Sequence, residues 1–176
     1  MIVKKTKFKG LLILKQKNNI DNRGLLRETF DKRVLKKKFI FEYCTTSKKN
    51  VFRGFHFQIK NKQSKLVSVL KGEIVDYVLD LRKNSKTFGK TFKIILSKKN
   101  ALSLYIPEGF AHAYYSKHKE NIIYYKLNDF YNPKSESGII FNDPKLSLKL
   151  PSNIILSKKD KKLMTIESFK KLIKYL

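Results

Sequence analysis

Apolar positions recur along the chain in short blocks. A two-residue alternation is visible in Val67-Ser68-Val69 and Ile74-Val75-Asp76-Tyr77-Val78. In a strand, that period sends successive side chains to opposite faces. Strands are expected in GLLILKQ at 10–16, LLRETF at 25–30, FIFEYCTT at 39–46, NVFRGFHFQ at 50–58 and KLVSVLKG at 65–72. They continue in EIVDYVLDLR at 73–82, KTFKIILS at 90–97, LSLYIPEG at 102–109, AHAYYS at 111–116 and NIIYYKLNDFY at 121–131. Short strands at close spacing, broken by Gly, Asn and Pro, predict a β-sandwich or barrel. Helical signals are sparse. DKRVLKKKF at 31–39 predicts a short helix capped by Asp31. In the tail 157–176, Leu163, Ile166, Phe169, Leu172, Ile173 and Leu176 recur at three-to-four-residue spacing, which predicts a helix packed outside the β core.

Composition narrows this to one folded domain spanning 1–176. The hydrophobic content is 41% and the aromatic content 12%, too high for a disordered chain. No apolar run approaches the roughly 18 residues of a membrane span, and LLIL near the N-terminus is too short for a secretory signal core. A single cysteine, Cys44, fits a reducing compartment, so a cytoplasmic protein without membrane attachment is expected. The net charge of +26 invites a nucleic-acid reading. Of 40 basic residues, however, only Arg23, Arg27, Arg33, Arg53 and Arg82 are arginine. Nucleic-acid grooves combine clustered basic residues with arginine and stacking aromatics. Dispersed lysine is read instead as surface decoration whose field attracts phosphate-bearing ligands, with no nucleic-acid partner.

Candidate chemistry begins with three histidines, His56, His112 and His118. In Arg53-Gly54-Phe55-His56-Phe57-Gln58, strict alternation puts Gly54, His56 and Gln58 on one face and Arg53, Phe55 and Phe57 on the other. A His–Gln face fits a ligand cavity inside a barrel. A hydrogen-bonded core histidine fits it equally. Asp76 and Asp80 share the next strand's polar face. Asp80 reads as a strand-end partner of Arg82, whereas Asp76, within an apolar strand, needs a partner such as a cavity histidine. His112 faces the same way as Tyr114, and Tyr124 and Tyr125 read first as core or rim. HxH, HxxH and CxxC spacings are absent, which disfavours a metal. A P-loop and a GxGxxG turn are also absent, so no cofactor is expected.

In series, RGFHFQ, KLVSVLKGEIVDYVLDLR, SKTFGK, LYIPEGFAHAYY and YYKLNDFYNPKSESGIIFNDP resemble the dTDP-4-dehydrorhamnose 3,5-epimerase family from Asp21 to about Asp160. The resemblance implies a cupin-like jelly roll, a homodimer, no metal or nicotinamide cofactor, and a nucleotide-sugar substrate. It implies that His56 is the base beside the sugar's C4 ketone and that Asp160 is its paired carboxylate. On residues alone, Asp160 reads as a helix cap. Tyr125 is implied as the acid on the opposite face and Lys65 as the group beside the keto oxygen. His112, Asp76 and Gln58 become cavity residues. Arg23, Glu28 and Arg53 become diphosphate contacts, Tyr131 the aromatic stacked on the nucleotide, and Glu136 and Lys159 further ligand contacts. The chemistry agrees. Epimerisation removes a proton α to a carbonyl and returns it from the other side, which needs a base and an acid on opposite faces. A cation at the enolate oxygen stabilises charge where it develops. Two arginines suit a diphosphate.

One segment departs from the family. Ahead of this motif, the family carries a Gln and an Asn that read thymine. Here the stretch is Phe41-Glu42-Tyr43-Cys44-Thr45-Thr46-Ser47. A guanosine-linked 4-keto sugar or heptose therefore stands beside the thymidine-linked one, and C3, C5 or both centres are open to inversion. A cupin 3,4-ketoisomerase and a non-catalytic sugar-nucleotide or nucleic-acid binding protein are the competing readings. The latter would have no need of His56, Asp160 and Tyr125 together.

Overall fold

A computed structural model describes residues 1–173. Its core is two antiparallel sheets laid face to face. The six-stranded sheet has the order β1 (Ile2–Lys5), β2 (Leu12–Lys15), β10 (Leu102–Ile106), β7 (Lys65–Lys71), β12 (Asn121–Leu127), β5 (Phe41–Ser47). The five-stranded sheet has the order β13 (Glu136–Gly138), β6 (Phe52–Gln58), β11 (Phe110–Ser116), β8 (Glu73–Asp80), β9 (Thr91–Ser97). A separate hairpin, β3 (Asn18–Asp21) and β4 (Gly24–Arg27), projects from the body. This is the expected jelly roll, and ten strands fall within or close to the predicted blocks. The hairpin is tied back by Arg27, which donates to the carbonyls of Val69 and Lys98.

Three apolar layers hold the sheets. Val67, Val69, Leu104, Ile123 and Leu127 from one sheet meet Ile74, Val78, Leu96, Phe110 and Tyr114 from the other. The outer face of the five-stranded sheet, with Phe52, Phe55, Tyr77, Leu79 and Ala113, is covered by the C-terminal segment through Leu146, Ile166 and Phe169. A smaller cluster of Leu14, Leu35, Leu66 and Tyr105 closes over the outer face of the six-stranded sheet. Leu35 belongs to α1 (Lys32–Leu35), where Asp31 accepts from the Arg33 amide, so the predicted helix forms but lasts one turn. Lys36, in the left-handed conformation, ends it.

The tail corrects the expectation of one long helix. Only α2 (Ile166–Leu172) is α-helical, capped by Thr165, and Leu163 lies before it in extended conformation. The reason is competition for backbone hydrogen bonds. Met164 donates to the Gly138 carbonyl at 3.2 Å and accepts from Ile140 at 2.8 Å, a sheet-like pairing that a continuous helix would forfeit. A single 3₁₀ turn at Asp160–Lys162 precedes it. Leu176, the last position of the predicted apolar stripe, lies outside the described residues.

A second correction concerns β6. His56 pairs with His112, but Arg53 pairs with Tyr114, so three residues on β6 span two on β11. This bulge breaks strict alternation. His56 and Arg53 therefore share the inner face, while Phe52 and Phe55 both point outward into the C-terminal layer. Gly54 allows it. Its φ is +119°, and a Cβ there would stand 2.5 Å from both the Ala113 Cβ and the His112 carbonyl oxygen. Gly54→Ala is expected to lower the unfolding free energy by about 3 kcal/mol, through strain and a backbone clash together. Urea denaturation checks this, and a loss below about 0.5 kcal/mol would contradict so tight a fit.

Candidate active site

A cavity of about 360 Å³ opens between the sheets, within the range of ligand pockets. Its lining includes the expected His56, Gln58, Lys65, Tyr131 and Glu136, together with Phe41, Tyr43, Phe57 and Gln63. β6 delivers His56 from the five-stranded sheet, and β7 delivers Lys65 from the six-stranded sheet. The two groups thus come from facing walls.

Asp160 stands beside His56. Its Oδ1 lies 2.5 Å from Nε2, and the carboxylate is 4% exposed against 28% for the imidazole. The 3₁₀ turn is the device that places it there, and Ser157 Oγ accepts from the Asp160 amide at 3.0 Å. A carboxylate on Nε2 holds the proton on that nitrogen and leaves Nδ1 as the basic one. It also stabilises the imidazolium that forms when Nδ1 takes a proton. The separation of 104 residues explains why local patterning could not pair them.

A second histidine–carboxylate pair lies deeper. His112 Nε2 is 2.7 Å from Asp76 Oδ2, and Asp76 is fully buried. Burial raises the Asp76 carboxyl above its ordinary range, opposed by the His112 and Lys65 charges. Its other oxygen, Oδ1, is buried with no hydrogen-bond partner among the described residues. Burial lowers Lys65 to about 8, while the charges of Glu136 and Asp76 act to keep it protonated. Asp80, as expected, is held by Arg82, whose Nε donates at 2.9 Å, and it also accepts from Ser85 and Thr87.

Tyr125, on β12, is 3% exposed. It stacks on Tyr43 with centroids 4.8 Å apart and meets the His112 ring edge-on at 5.9 Å. Burial pushes its hydroxyl well above the ordinary phenol value, helped by Tyr114 and Tyr43, so it carries its proton at neutral pH. Tyr43 is likewise pushed up to about 12 by burial. At the mouth, Glu136 accepts from both Tyr131 and Lys159. Burial acts to raise Glu136, but those two bonds and the nearby His56 bring it below its ordinary value. The Glu136 bond is the main cause that pushes Tyr131 up to about 12.

Three expected ligand contacts sit differently. Gln58 is spent on the backbone: its Nε2 donates to the Asn61 carbonyl at 2.7 Å and its Oε1 accepts from the Asn132 amide at 2.7 Å. Arg23 and Glu28 are not brought to the cavity. Arg23 stands on the β3–β4 turn, 86% exposed and paired with Asp21, and Glu28 is exposed just past β4. Arg53, exposed, is not among the residues that line the cavity, and its Nε donates to Ser47 Oγ at 3.1 Å. Sequence reasoning passed over Phe41 and Tyr43 as site residues. The signal was present: Phe41, Tyr43, Thr45 and Ser47 alternate along β5 and form its less exposed face. Among the described residues no group of three His, Cys, Asp or Glu side chains converges to hold a metal, and no helix is long and apolar enough to cross a membrane.

Lys65 should titrate apart from the surface lysines. In protein whose lysines carry ¹³C-methyl groups, one NMR resonance is expected to have its midpoint near 8 and to vanish in Lys65→Met. A Lys65 resonance titrating above 10, with the bulk of the lysines, would show that this side chain is not desolvated.

Comparison with known proteins places this geometry in a family. The profile of dTDP-4-dehydrorhamnose 3,5-epimerase matches residues 5–168. The chain is 37% identical over 166 residues to the dTDP-4-dehydrorhamnose 3,5-epimerase of Methanothermobacter thermautotrophicus, covering 89% of this chain and 90% of that one. It is 38% identical over 169 residues to the enzyme of the same name from Salmonella typhimurium, covering 91% and 92%. Among solved structures, the Legionella pneumophila dTDP-6-deoxy-D-glucose-3,5-epimerase in complex with dTDP-4-keto-L-rhamnose superposes with a TM-score of 0.90 at 35% identity, covering 94% of this chain and 93% of that one.

Proposed function

This chain belongs to the dTDP-4-dehydrorhamnose 3,5-epimerase family, and from that premise we propose how it works as a sugar-nucleotide epimerase: it inverts C3, C5 or both of a nucleoside-diphosphate-linked 4-keto-6-deoxy sugar. The observation that carries this reading is the His56–Asp160 pair, in which Asp160 backs His56 from behind while His56 lines the same cavity as Lys65, on the wall opposite the sheet that bears Tyr125.

The ketone makes the hydrogens on C3 and C5 acidic. Nδ1 of His56 takes one of them, and Asp160 stabilises the imidazolium. The electron pair moves onto the C4 oxygen. Lys65 neutralises the enolate there, and its partial desolvation strengthens the charge interaction. Tyr125, protonated and buried on the opposing sheet, returns a proton to the other face of the carbon. Solvent then re-protonates Tyr125, and His56 releases its proton for the next turnover. Asp76 and His112 back this centre, with the Asp76 charge favouring the ammonium form of Lys65.

Tyr131, Glu136 and Lys159 stand at the mouth, where the nucleoside would lie, and Arg53, on the inner face of β6 beside Ser47, is the arginine of this chain available to the diphosphate. Arg23 and Glu28 fit a homodimer in which the hairpin of one copy reaches the cavity of the other. Ile20 and Leu26 on that hairpin are 76% and 63% exposed, which supports its docking on a second copy. The lone cysteine supports a cytoplasmic location.

Incubation with 4-keto sugar nucleotides in D₂O, followed by NMR, tests the reaction. Deuterium is expected at C3, C5 or both. His56→Asn should abolish the exchange at every centre, a loss of at least about 10³-fold. Lys65→Met should slow it by about 10²–10³-fold. Tyr125→Phe should slow net inversion more than exchange, since abstraction survives without the acid. Equal loss of both in Tyr125→Phe would remove its assignment as the opposite-face acid, and no exchange with any substrate would remove the epimerase reading.

A further inference from the structure

The mouth of the cavity is walled by aromatic rings in contact. Phe130, 60% exposed, lies 6.0 Å from Phe41, and Phe41 lies 5.7 Å from Tyr43. Tyr43 in turn stacks on Tyr125, so this series of rings ends at the reacting centre. Tyr131, 49% exposed, lines the same cavity. The polar side chains between these rings are turned to other partners. Gln58 is occupied at both ends by the backbone of Asn61 and Asn132, and Gln63 Nε2 donates to the Asp129 carbonyl at 3.0 Å. Tyr131 and Lys159 both donate to Glu136.

These two facts have a joint consequence. Strong discrimination between bases needs fixed donors and acceptors aimed at the base edge, because a mismatched base then leaves a buried polar group unpaired. A ring face makes no such demand. Every base has a π-face, and stacking on aromatic side chains is tolerant of base identity. Both ends of Gln58 and the Nε2 of Gln63 are committed to backbone, largely of loop 128–132, which carries Phe130 and Tyr131, so these amides position the rings and leave few atoms to read an edge.

We infer that Phe41, Phe130 and Tyr131 form a stacking platform that accepts the nucleoside of the substrate whatever its base, so that this epimerase takes pyrimidine- and purine-linked nucleoside diphosphates alike. Tyr43 marks the platform's inner limit, where the base ends and the sugar begins. The inference rests on the sugar-nucleotide reading above and deepens it.

The test is calorimetric titration of the full chain with thymidine, uridine and guanosine diphosphates, alongside the D₂O assay. The three dissociation constants are expected to agree within about fivefold. Phe130→Ala, at an exposed position, should weaken all three by about tenfold, the loss of one stacked ring. Phe41→Gln, which adds an amide at the wall, should separate the three constants. A preference above about thirtyfold for one base, or weakening of one diphosphate alone in Phe130→Ala, would overturn base tolerance and leave the epimerase reading intact. Binding of none of the three would overturn the platform, and deuterium exchange in the parallel assay then decides whether the sugar chemistry stands without it.

Discussion

Gly54 lets β6 lie against β11 more closely than any residue with a side chain could, and the site depends on that approach. The bulge it sits in turns His56 and Arg53 to the interior while Phe52 and Phe55 go outward. The outward rings give the C-terminal segment an apolar surface to cover through Ile166 and Phe169. That covering segment is the one that carries Asp160 back to His56. One local irregularity thus aims His56, supplies the packing surface and lies under the segment that carries Asp160. A regular strand would send Arg53 and His56 to opposite faces, and no compensating shift elsewhere would restore both.

The buried charges follow a second constraint. Lys65, Asp76 and Asp160 all sit where charge is costly, and each has a neighbour of opposite or shareable charge. Asp76 carries two relationships, a direct bond to His112 and a through-space attraction to Lys65. The ammonium of Lys65 is thereby retained in an environment that would otherwise expel its proton. Such a cation has weakly held charge in the resting enzyme and gains most when an enolate forms beside it. In the proposed mechanism, that difference between resting state and transition state is the source of the acceleration.

Most of the fold was legible because strands announce themselves locally. Alternation and turn residues located ten strands, and the Asp31 and Asp80 roles followed from neighbours two residues away. Among the strands missed, β1 and β3 are four residues each and almost wholly exposed, so they carry no buried alternation, and the other elements missed have distant reasons. β13 is three residues long and exists because β6 offers it an edge. The tail is not one helix because Met164 pairs with backbone near Gly138. Arg53 was assigned to the wrong face because a bulge has no periodic signature. At the site, residue patterns alone raised His56 and Asp76 as candidates but gave Asp160 a capping role and left Tyr125 in the core. Only the family resemblance supplied Asp160, Tyr125 and Lys65, since Asp160 reaches His56 from a segment 104 residues away and neither Tyr125 nor Lys65 carries a local signal that sets it apart from core or surface.

The charge of the chain bears on the two ends of the site unequally. A net charge of +26, carried mainly by dispersed lysine, makes a field that any polyanion feels at a distance. It raises the local concentration of nucleoside diphosphates in proportion to their charge, which is set by the phosphates and not by the base. Capture by field and the ring stacking proposed above are both indifferent to base identity. Under the proposed platform, discrimination is left to the inner end, where His56 is held by its bond to Asp160 and Tyr125 by burial and its stack on Tyr43. An enzyme divided in this way selects its substrate by the ketone and the stereochemistry of the sugar, because only there does a misplaced atom meet groups that cannot move aside.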